Sequence, residues 1–191
     1  MIAYREEKIN NAICYFAKAH RKATKKYLSQ TFLYKYLAFL EFKSIEELGK
    51  PVFGLKYKAM ERGPVPIEIY SKRRGYKTDL FYFKEIGNEK IIVVPRDRKA
   101  NLDYFSQWEI NEMERLIAIY ADKFVSANDI SDASHQAIKA WKKAFKIKPN
   151  TFIDYDLCFD DINKKSDEDL SYIEDQYLVY KALENTQKGK S

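Results

Sequence analysis

Few side chains in this sequence are of the kind that perform chemistry. Histidine occurs only at positions 20 and 135, and cysteine only at 14 and 158. A zinc site of the HExxH kind needs two imidazoles one helical turn apart, and these two lie in distant parts of the chain. His20 falls in a basic run and reads as an ordinary surface residue. His135 follows Ser134 at an expected helix start, where it can bond backbone groups or orient a neighbour. Cys14 and Cys158 have apolar and aromatic company, ICYF and LCF, and read as reduced packing residues rather than a disulfide or metal framework. Nucleophilic catalysis needs a Ser or Cys with a base and an orienting acid, and no GxSxG turn presents one. Glu46-Glu47 and Asp160-Asp161 are adjacent pairs whose side chains diverge, unlike carboxylates opposed across a sugar. Six glycines scattered singly form neither GxxxxGK[ST] nor GxGxxG and so no phosphate cradle. The expectation is therefore no catalytic residue, no metal and no cofactor, with an enzyme disfavoured.

Charge says more. Residues 1–150 carry 29 basic and 18 acidic side chains, a net +11, whereas residues 151–191 carry 5 and 10. Such a basic body can attract nucleic acid, steer an acidic protein, or simply keep the chain soluble. The acidic stretch from Asp154 to Asp175 can also lie against that body and screen it. No apolar run approaches the roughly 20 residues that cross a bilayer, so no membrane partner is expected. The opening MIAYREEKIN has charges where a signal peptide needs an apolar stretch, which places the chain in the cytoplasm. Of 191 residues, 46% are hydrophobic and 15 are Tyr; this is enough for one sizeable core, with several tyrosines left at or near the surface.

The elements that must position these residues follow from spacing. Ile9, Ile13, Phe16 and Ala17 share a helical face, opposite Lys18, Arg21, Lys22 and Lys25, in a helix reaching about Lys26. Ser29 caps a second, aromatic-rich helix through Leu33, Tyr36, Leu37 and Leu40 to about Phe42. Gly49-Lys50-Pro51 signals a turn before Val52-Phe53-Gly54-Leu55, which reads as either strand or short helix. Gly63-Pro64-Val65-Pro66 reads as a rigid turn with Pro at a helix start, the helix running through Ile67, Ile69 and Tyr70 toward Gly75. The runs at residues 80–83 and 91–94, joined by a connector containing Gly87-Asn88, predict an antiparallel hairpin packed on the helices. Ser106 with Glu109, Ser126 with Asp129, and Ser166 with Asp169 are helix-capping patterns. The first opens a helix through Ile110, Met113, Ile117 and Tyr120 to Phe124. The second opens a short helix to about Ala133, followed by another over residues 135–145. The third opens a final helix bearing Leu170, Ile173 and Tyr177, and the last five or so residues, through Ser191, are expected to fray. Residues 127–145 could form a helix-turn-helix with Lys139, Lys142, Lys143 and Lys146 on or after its second helix, and Trp141 reads as core. The fold expected is mainly α (α+β): a compact helical domain over residues 1–150 with a small antiparallel β-hairpin, then an acidic extension over 151–191 with one helix.

The segments FLYKYLAFLEF and GKPVFGLKYKAMERGPVPIEIY resemble the Panacea domain of SocA-like antitoxins. There an aromatic-rich helix precedes a Gly-Pro-Val-Pro turn that opens a helix ending in Tyr. Downstream the resemblance continues through an aromatic-rich hairpin (residues 80–94), an amphipathic helix (107–124), and Ser134-His135 followed by Trp141. It covers about residues 8–146. The long basic first helix, the wording of the second helix and the acidic extension after Pro149 depart from the family pattern. The resemblance implies a non-enzymatic, phage-associated antitoxin of a toxin-antitoxin system that neutralises a toxin, encoded by an adjacent gene, through direct contact or by delivery to a protease. It makes Gly63, Pro64, Val65, Pro66, Tyr70, His135 and Trp141 the motif residues, structural or partner-binding. The departures point to the basic first helix or the acidic last helix for partner specificity. A DNA- or RNA-binding regulator using the +11 body is the other reading.

Overall fold

In the computed structural model, residues 2–87 and 90–188 are described, Gln187 and Lys188 by their backbone alone. The expected turn residue Asn88 and the expected fraying through Ser191 lie outside the described residues. Helix α1, Arg5–Thr24, buries Ile9, Ile13, Phe16 and Ala17 as their spacing predicts. The same face continues to His20, which is 5% exposed rather than a surface residue. Its Nδ1 lies 3.0 Å from the Tyr36 hydroxyl, and burial, aided by Lys26, pushes its pKa down to about 4. Strand β1, Leu28–Ser29, leads directly into helix α2, Gln30–Leu48. Ser29 caps it by accepting from the Phe32 amide, and it continues past Phe42 to Gly49, whose φ of +66° favours glycine.

Helix α2 has apolar residues on every side and is the central element. It touches α1, the strand Leu28–Ser29, and helices from the middle and the end of the chain. Leu33, Tyr36, Leu37 and Leu40 are fully buried, each apolar side chain of this size contributing about 1.5–3 kcal/mol by leaving water. Residues 50–56 form neither strand nor helix. They are pinned by Glu41 of α2, a fully buried carboxylate that accepts from the Phe53 and Leu55 amides at 2.7 and 2.9 Å.

Strands β2, Tyr57–Met60, and β3, Gly63–Pro66, form an antiparallel ladder pairing Tyr57 with Pro66 and Met60 with Gly63. The Gly-Pro-Val-Pro segment is thus a strand, and helix α3 starts only at Ile67 and ends at Lys72. The correction has a simple cause. The Ile67 amide bonds to the Lys56 carbonyl, so this register puts Val65 in a bonded position and Pro64 and Pro66 where no donor is needed. Strands β4, Phe81–Ile86, and β5, Lys90–Pro95, make the expected hairpin, and β1 adds to β5 as a third strand in the order β1-β5-β4.

Helix α4, Gln107–Tyr120, and helix α5, Ala127–Ala137, each open with the predicted capping box. Helix α4 stops at Tyr120, leaving Phe124 82% exposed. Helix α5 extends beyond Ala133, and helix α6 is Lys139–Ile147. The chain then lies beside β2, with the Asn150 and Ile153 amides donating to Ala59 and Tyr57 carbonyls and the Ala59 amide donating to Thr151. Tyr155 reaches Glu41 with its hydroxyl, 2.7 Å away. Ser166 bonds Asp169 within a single 3-10 turn. The final helix, α7, Tyr172–Lys188, starts one S-x-x-E pattern later, where Ser171 and Glu174 exchange amide bonds. Tyr177 of α7 is buried, and α7 packs on α2. The architecture is mainly α with two small antiparallel sheets.

Candidate functional site

All of the motif residues but Tyr70 converge on the hairpin of β2 and β3. Gly63 adopts φ +94°, and a Cβ there would sit 2.4 Å from Ser134 Oγ and 2.8 Å from Lys35 Nζ. Lys35 comes from the middle of α2 and is 1% exposed. Its ammonium donates to the Pro64 carbonyl at 3.2 Å. Burial pushes its pKa down to about 7, because an ammonium stripped of water and given one carbonyl partner is poorly solvated. Ser134, fully buried in α5, donates to the Ser131 carbonyl at 2.6 Å.

His135 lies in the last turn of α5, not at a helix start, since the break falls at Ile138. Its ring stacks on Trp141 with centroids 4.1 Å apart and planes 6° from parallel, and Trp141 stacks in turn on Phe145 at 4.9 Å. Trp141 is 6% exposed and donates its indole N–H to the Met60 carbonyl at 3.0 Å. Burial and the nearby Lys35 hold the His135 pKa below its ordinary value, against the pull of Asp132 and the Glu61 backbone.

Three helices therefore grip one tight turn: α2 through Lys35, α5 through Ser134 and His135, and α6 through Trp141. Gly63, Pro64, Val65 and Pro66 are themselves buried, and the neighbouring Glu61 and Arg62 are exposed at the tip. Val65 belongs to the core. Tyr70 stands apart, its ring covered by the Arg73 guanidinium at 3.7 Å and facing Tyr34 at 6.4 Å. Lys35 is the residue that sequence reasoning missed. Its signal was a charge placed among apolar neighbours in a helix that is apolar all round.

Chemically, the cradle fixes backbone. The Ser134 proton is committed to a carbonyl, the Lys35 amine is sealed, and His135 is turned flat against indole. Among the described residues no group of three or more His, Cys, Asp or Glu is placed to hold a metal ion. The α5–α6 pair keeps Lys139, Lys142 and Lys146 exposed, while Lys143 donates to the Phe159 carbonyl and to Asp160 at 2.6 Å. Trp141 is core, as expected. No helix among the described residues is long and apolar enough to cross a membrane.

A family model described as antitoxin SocA-like, Panacea domain, matches residues 33–142. That stretch runs from Leu33 in α2 to Lys142 in α6, and so contains every member of the cradle. No curated protein and no solved structure matches the chain.

Proposed function

Because the chain belongs to the SocA-like antitoxin family built on the Panacea domain, we propose that it neutralises a cognate toxin by direct protein contact. The toxin is the product of an adjacent gene, and the encounter takes place in the cytoplasm. The family membership, which spans more than half of the chain, carries this reading. The physical character of the molecule supports it. A clamped turn presents Glu61 and Arg62 on a rigid base, which lowers the ordering cost of docking, and a +11 body accelerates encounter with an acidic partner. No catalytic role is assigned to any residue.

The motif residues Gly63, Pro64, Val65, Pro66, His135 and Trp141 act in this reading as the clamp, and Tyr70 as packing behind it. A nucleic-acid regulator draws on the same positive charge, but the observation offered for it in sequence, the α5–α6 pair, has Trp141 sealed in the core and Lys143 tied to Asp160.

The test is co-expression of the tagged protein with its adjacent open reading frame, beside a growth assay of that neighbour alone. A toxic neighbour, rescued growth and a stoichiometric complex are expected. Rescue with the toxin lost from the cell, and restored when a host protease is deleted, would instead identify delivery to that protease. A harmless neighbour that never co-purifies would end the proposal.

A further inference from the structure

The end of α1, the short β1, the β4–β5 edge and the α4–α5 connection enclose a cleft of about 460 Å³, away from the cradle. Lys25, Lys26, Lys90 and Lys123 stand exposed around it. Among the described residues none of these four ammonium groups forms an ion pair. The carboxylate lining the cleft, Asp122, accepts the Phe124 amide at 2.8 Å. Basic residues continue along α1, where Lys18, Arg21 and Lys22 meet Arg96, with Asp97 beside it, in a second depression.

The floor differs from the rim. Phe32, Ile92 and Val125 supply apolar surface. Most of the polar groups between them are already engaged. The Thr24 hydroxyl donates to the His20 carbonyl and accepts the Lys26 amide, and the Ser29 hydroxyl accepts the Phe32 amide. His20 Nδ1 pairs with the Tyr36 hydroxyl. A nucleobase placed on this floor would find few free donors or acceptors for its edge, which single-strand recognition ordinarily requires, whereas an apolar side chain meets Phe32, Ile92 and Val125. At the mouth, Tyr27 is stacked against Arg21 at 4.3 Å, and outside the lining Phe124 stands out into solvent beside the rim residue Lys123. Exposed aromatic side chains of this kind are the usual anchors of a protein interface.

We propose that this cleft is the docking site for an acidic segment of the partner protein, one bulky apolar side chain of which fills the floor while its carboxylates meet the lysine rim. The proposal rests on the toxin-binding reading and gives that partner its chemistry. It also gives a role to the basic first helix, which departs from the family pattern and whose C-terminal end builds one wall. Association through this rim is salt-sensitive, because exposed charges are screened beyond about 8 Å at physiological ionic strength.

The experiment is a titration of the full chain with a short fluorescein-labelled peptide of Glu and Asp residues around one central Phe, read by anisotropy. The same titration is run with Lys26→Glu/Lys123→Glu, both exposed positions, and with a peptide carrying Ser for Phe. Thermal unfolding checks the variant, and Lys26→Gln/Lys123→Gln replaces it if the reversed pair melts early. Binding by the wild type is expected, with a loss of about tenfold or more for the charge-reversed pair and a clear loss for the Ser peptide. Absent wild-type binding, unchanged affinity in the variant, or displacement of the peptide by oligothymidylate overturns the proposal. The two readings fail separately. A wild-type complex with the adjacent gene product that survives Lys26→Glu/Lys123→Glu refutes the cleft alone, and absence of any such complex with the neighbour's level undiminished refutes toxin binding while the peptide still decides the cleft.

Discussion

Replacing Gly63 by Ala tests the cradle at its tightest point. The added carbon would meet Ser134 Oγ at 2.4 Å and Lys35 Nζ at 2.8 Å while holding φ at +94°. A left-handed backbone costs a residue with a side chain about 1–2 kcal/mol. Moving Lys35 away from the Pro64 carbonyl forfeits a charged hydrogen bond in a buried setting, about 1.5–3 kcal/mol. Together the two terms reach about 2.5–5 kcal/mol, or roughly a 10 °C fall in melting temperature for a chain of this size. Gly75 supplies the control, since it has φ +101° but nothing within 4 Å of the added carbon. Gly75→Ala therefore isolates the backbone term, about 1–2 kcal/mol. Thermal and urea unfolding followed by circular dichroism compare the two. Adding Ser134→Ala to Gly63→Ala removes the closest collision and should recover about 1 kcal/mol as a non-additive term. If Gly63→Ala melts within about two degrees of Gly75→Ala, where each kcal/mol shifts the midpoint by about 2–4 °C, the grip of Lys35 and Ser134 on the turn is refuted.

The remaining expectations concern buried charge. Between about pH 7 and its ordinary value of 10.5, Lys35 holds fewer protons folded than unfolded, so its contribution to stability rises with pH there, by at most about 1.4 kcal/mol per unit. Lys35→Met should flatten the difference measured from pH 7 to 9.5; an identical pH profile contradicts the burial argument. His20, held at about 4, is protonated first in the unfolded chain, so stability should fall as pH drops from 6.5 to 4, and less steeply in His20→Gln. Glu41→Ala leaves the Phe53 and Leu55 amides without their acceptor, while the Tyr155 hydroxyl keeps only the Leu55 carbonyl, a loss of about 2–6 kcal/mol at about 1–3 per orphaned amide. Limited proteolysis should then cut residues 150–165 faster than in the wild type, and unchanged cutting would show that Glu41 does not hold that segment.

Much of this architecture is written in local patterns. Ser106 with Glu109 and Ser126 with Asp129 open helices where they should, because a capping box acts within one turn and needs no tertiary partner. The hairpin of Phe81–Ile86 with Lys90–Pro95 follows from alternating β-rich runs. What escaped depends on distant neighbours. Gly63–Pro66 has the composition of a helix start, yet Tyr57–Met60 arrives with a register that suits both prolines, and the segment becomes strand. His135 lies inside the last turn of α5 because the chain breaks at Ile138 rather than Ala133, and no residue between them is a strong breaker. Ser166 and Ser171 both spell a cap, and only the packing of α7 on α2 selects the second. In the site, Gly63, Pro64, His135 and Trp141 were legible as motif residues. Lys35 and Glu41 were visible only as two charges inside the helix FLYKYLAFLEF, one facing the β3 turn and the other the loop before β2.

The adjacent gene offers the most direct test of neutralisation by contact. Co-expressing the tagged chain with the product of that gene, and scoring growth beside a pull-down, measures neutralisation and contact together. A neighbour that halts growth alone, and that is recovered in a one-to-one complex from cells that grow, is the predicted result. A harmless neighbour, or rescue by this chain without any association or loss of the toxin, contradicts neutralisation by direct contact.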